Sequence, residues 1–123
     1  MLIYNYMVVG TADDQRIDRL FHALADPTRR DIVKRSLAGE HSVSGLAGLY
    51  PMSFAAVQKH VAVLAAAGLV TKRASGREQL VSTDVHSIRR AAAQLDQFET
   101  LWRERIDRFG ALLADEPNDG GTI

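Results

Sequence analysis

Ser53-Phe54-Ala55-Ala56-Val57-Gln58-Lys59-His60-Val61-Ala62-Val63-Leu64 spells a helix with two unlike faces. Ser53 suits the N-cap, because its hydroxyl accepts from an unpaired amide of the first turn. Val57, Val61 and Leu64 recur at i, i+4 and i+7, one apolar stripe. Gly68 is placed to end the helix in a left-handed conformation. The opposite side carries Ala55, Lys59 and Ala62, with Gln58 on the flank. A solvated helix face is ordinarily dense in Glu, Lys and Arg. This one is small and sparsely charged, the character of a helix that lies in a groove. An Ala-rich core helix fits the same pattern, and this stretch alone does not separate the two.

Upstream, periodicity predicts a helix over residues 15–25, with Ile17, Leu20, Phe21 and Leu24 on one face, after a loop at residues 10–14. Asp26-Pro27 restarts the chain, Asp26 as N-cap and Pro27 at the first helical position. That second helix turns Ile32, Val33 and Leu37 inward, leaves Arg29, Arg30, Lys34 and Arg35 mostly outside, and ends at Gly39. Ser42 caps a short third helix over residues 43–50, with Val43, Leu46 and Leu49 toward a neighbour and His41 in a loop. Tyr50-Pro51-Met52 is a tight turn into the quoted helix. Two helices so joined read as a helix-turn-helix, with the second entering a DNA groove.

After Gly68 the period changes to that of strands. Residues 69–74 and 78–82 form a hairpin about Ser75-Gly76, with Lys72, Arg73 and Arg77 clustered on it. A basic ribbon behind a recognition helix is a wing. Asp84 then caps a long helix over residues 85–114. Along it Leu95, Phe98, Trp102, Ile106 and Phe109 form a stripe at spacings of three and four, which suits packing on a second subunit or on its own domain. The expected organisation is an arm at residues 1–14, one domain at 15–114 and a disordered tail at 115–123. The arm is a short strand or frayed.

Composition is that of one soluble domain: 123 residues, 46% hydrophobic and 24% charged. With no cysteine, a disulfide framework and thiolate metal sites are excluded. No apolar run approaches a membrane span, and the N-terminus lacks the basic flank of a signal peptide, so a cytoplasmic location is expected. Formal net charge is zero, but between residues 53 and 80 four cations face Glu78 alone, a local balance of +3. Asp115, Glu116 and Asp119 place −3 in the tail. A basic middle with an acidic end is compatible with a phosphate-binding surface.

Leu24-Ala25-Asp26-Pro27-Thr28-Arg29-Arg30 resembles the "ALADPTRR" entry to the second helix of the ArsR/SmtB family of winged-helix repressors. Met52-Ser53, Ala56-Val57-Gln58-Lys59-His60-Val61 and Ala67-Gly68-Leu69-Val70 resemble its recognition segment, and Gly76-Arg77-Glu78 its wing turn. The resemblance covers about residues 16–113. It implies a mainly α fold, a winged helix-turn-helix of about five helices and a two-stranded wing. It also implies a homodimer on an imperfect palindromic operator, with contacts through the first and last helices, hence Leu20 and Phe21 beside the long-helix stripe. Many members sense metal through a cysteine pair, which is impossible here. A second family site begins Asp-x-His, as does Asp84-Val85-His86. Gln97 and Thr100 stand where His and Glu are expected, and are not comparable zinc ligands. No metal site and no cofactor are expected.

The DNA roles expected are specific. Gln58 and Lys59 have the chemistry to read base edges. Ala55 and the rim of Phe54 suit thymine methyls. Ser53 suits a phosphate at the helix N-terminus. Arg73 and Arg77 suit phosphate or the minor groove. His60, at the edge of the core stripe, either hydrogen-bonds within the domain or reaches a phosphate. No catalytic constellation is present: there is no phosphate loop, nucleophile elbow or carboxylate pair. The reading is a DNA-binding repressor that is not an enzyme. The alternative is a protein-interaction module on the same fold.

Overall fold

A computed structural model describes residues 11–121, with side chains described to residue 114. The strand or arm expected over residues 1–10 lies outside the described residues. Five helices and three strands follow in the order α1 (Ala12–Leu24), α2 (Pro27–Ala38), β1 (His41–Ser42), α3 (Val43–Ala47), α4 (Phe54–Ala66), β2 (Val70–Ser75), β3 (Glu78–Thr83) and α5 (Val85–Gly121). Two compact units divide the chain, Met1–Ala91 and Ala92–Ile123, and α5 begins in the first.

Helix starts follow the capping chemistry. Asp26 accepts from the Arg29 amide at 2.9 Å, Ser42 from Gly45 at 3.0 Å and Ser53 from Ala56 at 3.1 Å. The amide of Arg29 also holds the Asp26 carboxyl below the usual carboxylate range. α1 begins earlier than expected. Thr11 accepts from the Asp14 amide, and the Asp14 carboxylate accepts from the Thr11 amide and hydroxyl. This reciprocal pair is a capping box, so Asp13 and Asp14 lie inside the first turn, where their charge suits the helix dipole. α5 continues to Gly121, past the expected end near residue 114 and into the stretch assigned to a tail. Extending a formed helix adds one hydrogen bond per residue fixed.

The core of the first unit gathers Leu20 and Ala23 from α1, Ile32 and Val33 from α2, and Leu46 from α3. Val57, Val61 and Leu64 of α4 join it, with Val43, Leu69, Val70, Val81 and Ala91. Each fully buried Leu, Ile or Val contributes about 1.5–3 kcal/mol by leaving water. Leu37 and Leu49, expected inward, are 54% and 47% exposed. Val33 and Ser36 take the inward positions of that part of α2, and Leu37 falls on the next, outward side. α3 closes at Ala47, before a stripe extending to Leu49 can form.

Gly68 ends α4 as expected, at φ +78. Its amide donates to the Ala65 carbonyl at 3.0 Å, and the Leu69 amide to the Leu64 carbonyl at 2.9 Å. These two bonds are the Schellman closure. Gly39 behaves differently. Its φ of 172 is extended, which leads α2 straight into β1. His41, expected in a loop, is therefore strand. It pairs with Val81, and Ser42 with Leu80, so the wing is the larger part of a three-stranded sheet of order β1-β3-β2. In the hairpin Ser75 pairs with Glu78, which makes the two-residue turn Gly76-Arg77 and not Ser75-Gly76. Positive φ at Gly76 alone fits a II′ turn.

Candidate nucleic-acid interface

The turn that aims α4 is fixed by side chains. The Met52 amide donates to the Tyr50 carbonyl at 2.9 Å, a three-residue turn. The Tyr50 hydroxyl donates to Asp31 Oδ2 at 2.6 Å, and Arg35 Nε donates to the same oxygen at 2.8 Å. The Arg35 guanidinium lies 6.0 Å from the Tyr50 ring centroid. Burial, then the bond to Asp31 and its charge, push the Tyr50 hydroxyl up to about 12. The same bond, then that from Arg35, hold Asp31 below the usual carboxylate range. Tyr50 thereby locks the turn to α2.

With its stripe of Val57, Val61 and Leu64 in the core, α4 presents Phe54, Ala55, Gln58, Lys59 and Ala62 outward, all exposed. At its N-terminus, Ser53 Oγ already accepts from Ala56, which leaves its hydroxyl hydrogen free to donate. The Phe54 and Ala55 amides precede the first intrahelical bond, from Val57 to the Ser53 carbonyl at 3.1 Å.

A cleft of about 380 Å³ runs between this face and the wing, lined by Ala55, Gln58, Lys59 and Ala62 on one side and by Lys72 and Gln79 on the other. Strand alternation explains the wing's share. Lys72 pairs with Val81 and Gln79 with Ala74, so these four share one face, and Val81 anchors it in the core. Arg73 stands on the other face. Its guanidinium forks onto Glu40, Nη2 to Oε1 at 2.8 Å and Nε to Oε2 at 3.3 Å. From sequence alone Arg73 is assigned a DNA contact and Lys72 only a place in the basic cluster, while Gln79 is given none. Period-two counting from Val81 separates them. Arg77 occupies the turn, exposed. Among the described residues neither Lys59, Lys72 nor Arg77 makes an ion pair.

Two more expected positions are turned inward. His60 is half-buried, with Nδ1 3.4 Å from Arg29 Nη1. Arginine only donates, so Nδ1 is the acceptor and a neutral ring carries its proton on Nε2. Arg29 also donates to the Ala23 carbonyl at 2.7 Å and the His22 carbonyl at 3.1 Å, and Arg30 to Leu24 at 2.8 Å. These arginines cap the end of α1; they are not loose surface cations. Leu20, expected at a subunit contact, is 2% exposed within its own core, whereas Phe21 beside it is partly exposed.

In the second unit the α5 stripe is bare. Leu95, Phe98, Trp102, Ile106 and Phe109 are each about half exposed or more, Phe98 at 60% and Trp102 at 57%. Asp84 serves as a cap, accepting from the His86 amide at 2.9 Å. Among the described residues no three His, Asp or Glu side chains gather as metal ligands.

A helix-turn-helix followed by a wing, with a lightly charged helix face turned outward, defines a winged helix-turn-helix protein. No family model matches the chain. It is 35% identical over 102 residues to an HTH-type transcriptional regulator, Rv2034, of Mycobacterium tuberculosis, covering 83% of this chain and 92% of the relative. Among solved structures it resembles an ArsR-like transcriptional regulator from Rhodococcus sp. RHA1, at 27% identity and TM-score 0.72, over 83% of this chain and 96% of the other. A homodimeric winged helix-turn-helix DNA-binding domain, Mb0332 of Mycobacterium bovis, shares the fold at 23% identity and TM-score 0.58, over 74% and 90% of the two chains. The chain belongs to the ArsR family of winged helix-turn-helix transcriptional regulators, and its function is DNA-binding regulation of transcription. Relatives so described are regulators and not enzymes.

Proposed function

We propose that the protein is a repressor that binds a palindromic operator as a homodimer and blocks transcription sterically. The carrying observation is the cleft between α4 and the wing, where Lys59 and Lys72 stand without ion-pair partners beside Gln58, Ala55 and Ala62. Gln58 and Lys59 read base edges, Phe54 and Ala55 touch thymine methyls, and Ser53 with the first amides of α4 takes a phosphate. Arg77 reaches the backbone or the minor groove beyond the cleft. Arg73 joins only on releasing Glu40, and His60 acts through Arg29.

Dimerisation is supported by the apolar stripe of α5. Eight large side chains between Leu95 and Leu113 are exposed there, more apolar surface than one helix leaves to water without a partner. Phe21 and the stripe of Leu95, Phe98, Trp102, Ile106 and Phe109 both belong to the proposed subunit contact. Two recognition helices then enter successive major grooves about 34 Å apart. No helix among the described residues is long and apolar enough to cross a membrane, and a cytoplasmic location fits a partner that is the operator.

The test is a salt titration of binding to the DNA upstream of the chain's own reading frame, with a footprint. A symmetric footprint and affinity falling steeply with salt are expected. Binding that ignores salt, or a footprint without two-fold symmetry, sinks the reading. No DNA complex, together with a stable protein complex, marks an interaction module on the same fold.

A further inference from the structure

A second cleft, of about 260 Å³, lies on another side of the first unit, between α1, the end of α4 and the start of α5. Three arginines line it. Arg16 and Arg19 come from α1, one turn apart, and Arg90 from α5. Its apolar lining includes Ile17, Leu20, Ala65, Ala66 and Ala67, and no acidic side chain lines it. Among the described residues Arg16 and Arg19 make no hydrogen bond or ion pair, and Arg90 makes one contact, to Ser87 Oγ at 3.3 Å.

Capping of the α4 terminus does not account for this cluster. The Leu64 carbonyl already accepts from Leu69, Ala65 from Gly68, and the Gly68 carbonyl from the buried Ser87 hydroxyl. Where this protein uses arginine to cap a helix, at the end of α1, Arg29 and Arg30 make explicit bonds to carbonyls. Like charges lining one cleft without an acidic side chain repel, and a bound anion would relieve that repulsion.

We propose that this cleft binds a small organic carboxylate, its charge forked by Arg16, Arg19 and Arg90 and its apolar body laid on Ile17, Leu20 and Ala66. Guanidinium suits a carboxylate bidentately. The volume sits just below that of drug-sized pockets and fits a molecule as small as benzoate. The ligand touches the last turn of the helix that carries Lys59.

The test is an amide NMR titration of the full chain with sodium benzoate. Sodium chloride at matched ionic strength, methyl benzoate and sodium phosphate are the controls. Saturable shifts at Ala65, Ala66, Ala67 and Gly68 are expected, with a Kd on the order of 1 mM for so small a ligand. Arg19→Gln weakens binding about tenfold through loss of a charge-assisted fork. Ala66→Leu, which fills the cleft and keeps every charge, abolishes it. Methyl benzoate and chloride leave the amides unmoved. The proposal fails if benzoate gives no saturable shift or if the response survives joint replacement of the three arginines by Gln. It fails equally if phosphate binds as tightly as benzoate, because the apolar lining then has no part.

Discussion

Arg29 and His60 meet across the fold, Nη1 to Nδ1 at 3.4 Å, and tie the helix that carries Lys59 to the end of α1. The same guanidinium holds two α1 carbonyls. Removing it takes the donor from the part-buried Ala23 carbonyl, while the His22 carbonyl keeps the Ala25 amide; removing the ring leaves one donor that water can reach. Arg29→Ala is therefore expected to lower stability by about 1–3 kcal/mol and His60→Ala by about 0.5–1 kcal/mol, read by urea unfolding. Arg29→Lys should not restore it, because an ammonium has no fork. Equal losses in the two alanine variants would place the weight on the ring instead.

Tyr50 and Asp31 set a pH signature. A group whose folded pKa is raised stabilises fully below its unfolded value and loses that contribution as pH climbs through the folded one. For Tyr50 the window is 10.0 to about 12. Tyr50→Phe should cost about 1 kcal/mol at neutral pH, and the gap to wild type should close as pH rises through that window. Asp31, held below 3.8, acts with the opposite sign: its contribution is complete above that value and is lost on acidification. Thermal melts at stepped pH check both limbs. A Tyr50→Phe gap that stays constant to pH 12 argues that the hydroxyl bond is not formed.

At the duplex, Lys59→Ala should cost about 1–3 kcal/mol and relax specificity, whereas Arg77→Ala weakens all sequences alike and lowers the salt slope by about one. Glu40→Gln releases Arg73 and should tighten general binding with a steeper slope. Equilibrium binding across a salt series measures all three. An unchanged slope in Glu40→Gln would mean that Arg73 never reaches phosphate.

Trp102→Glu places a charge in the middle of the exposed α5 stripe. Sedimentation should show the variant as a monomer, with operator affinity falling by more than tenfold because two half-sites no longer act together. A dimeric Trp102→Glu protein would move the subunit contact elsewhere.

Gly68 and Gly76 share a positive φ but not surroundings. A Cβ at Gly68 would meet Ser87 Oγ at 3.2 Å, whereas at Gly76 nothing lies within 4 Å. Gly76→Ala is expected to cost about 1 kcal/mol from backbone strain alone, and Gly68→Ala more, about 1–3 kcal/mol. Denaturant midpoints compare them directly.

Much of this was legible because the signals are local. Asp26-Pro27, Ser53 and Gly68 act within one turn of themselves, and the stripe of Val57, Val61 and Leu64 fixes which face of α4 is outward. Thr11 to Asp14 carries an equally local signal, a capping residue three before a carboxylate, which the expectation of a loop over residues 10–14 passes over. Distant pairs left no such trace. Nothing near Arg73 announces Glu40, nothing near Arg29 announces His60, and two residues of β1 are too few for a period to show. The groove-facing roles of Lys72 and Gln79 needed only the register, which Val81 supplies once it is known to be core.

The wing's outer part, from Thr71 to Gln79, is exposed along both strands and rooted at Val70 and Val81. Past that root it is held by its own ladder and the surface fork of Arg73 on Glu40. Its amides should trade protons with solvent far sooner than those of α4, at an opening free energy well under that of the whole domain. The duplex would then stiffen the part of the protein that is softest when alone, so part of the energy of docking is spent on ordering the wing.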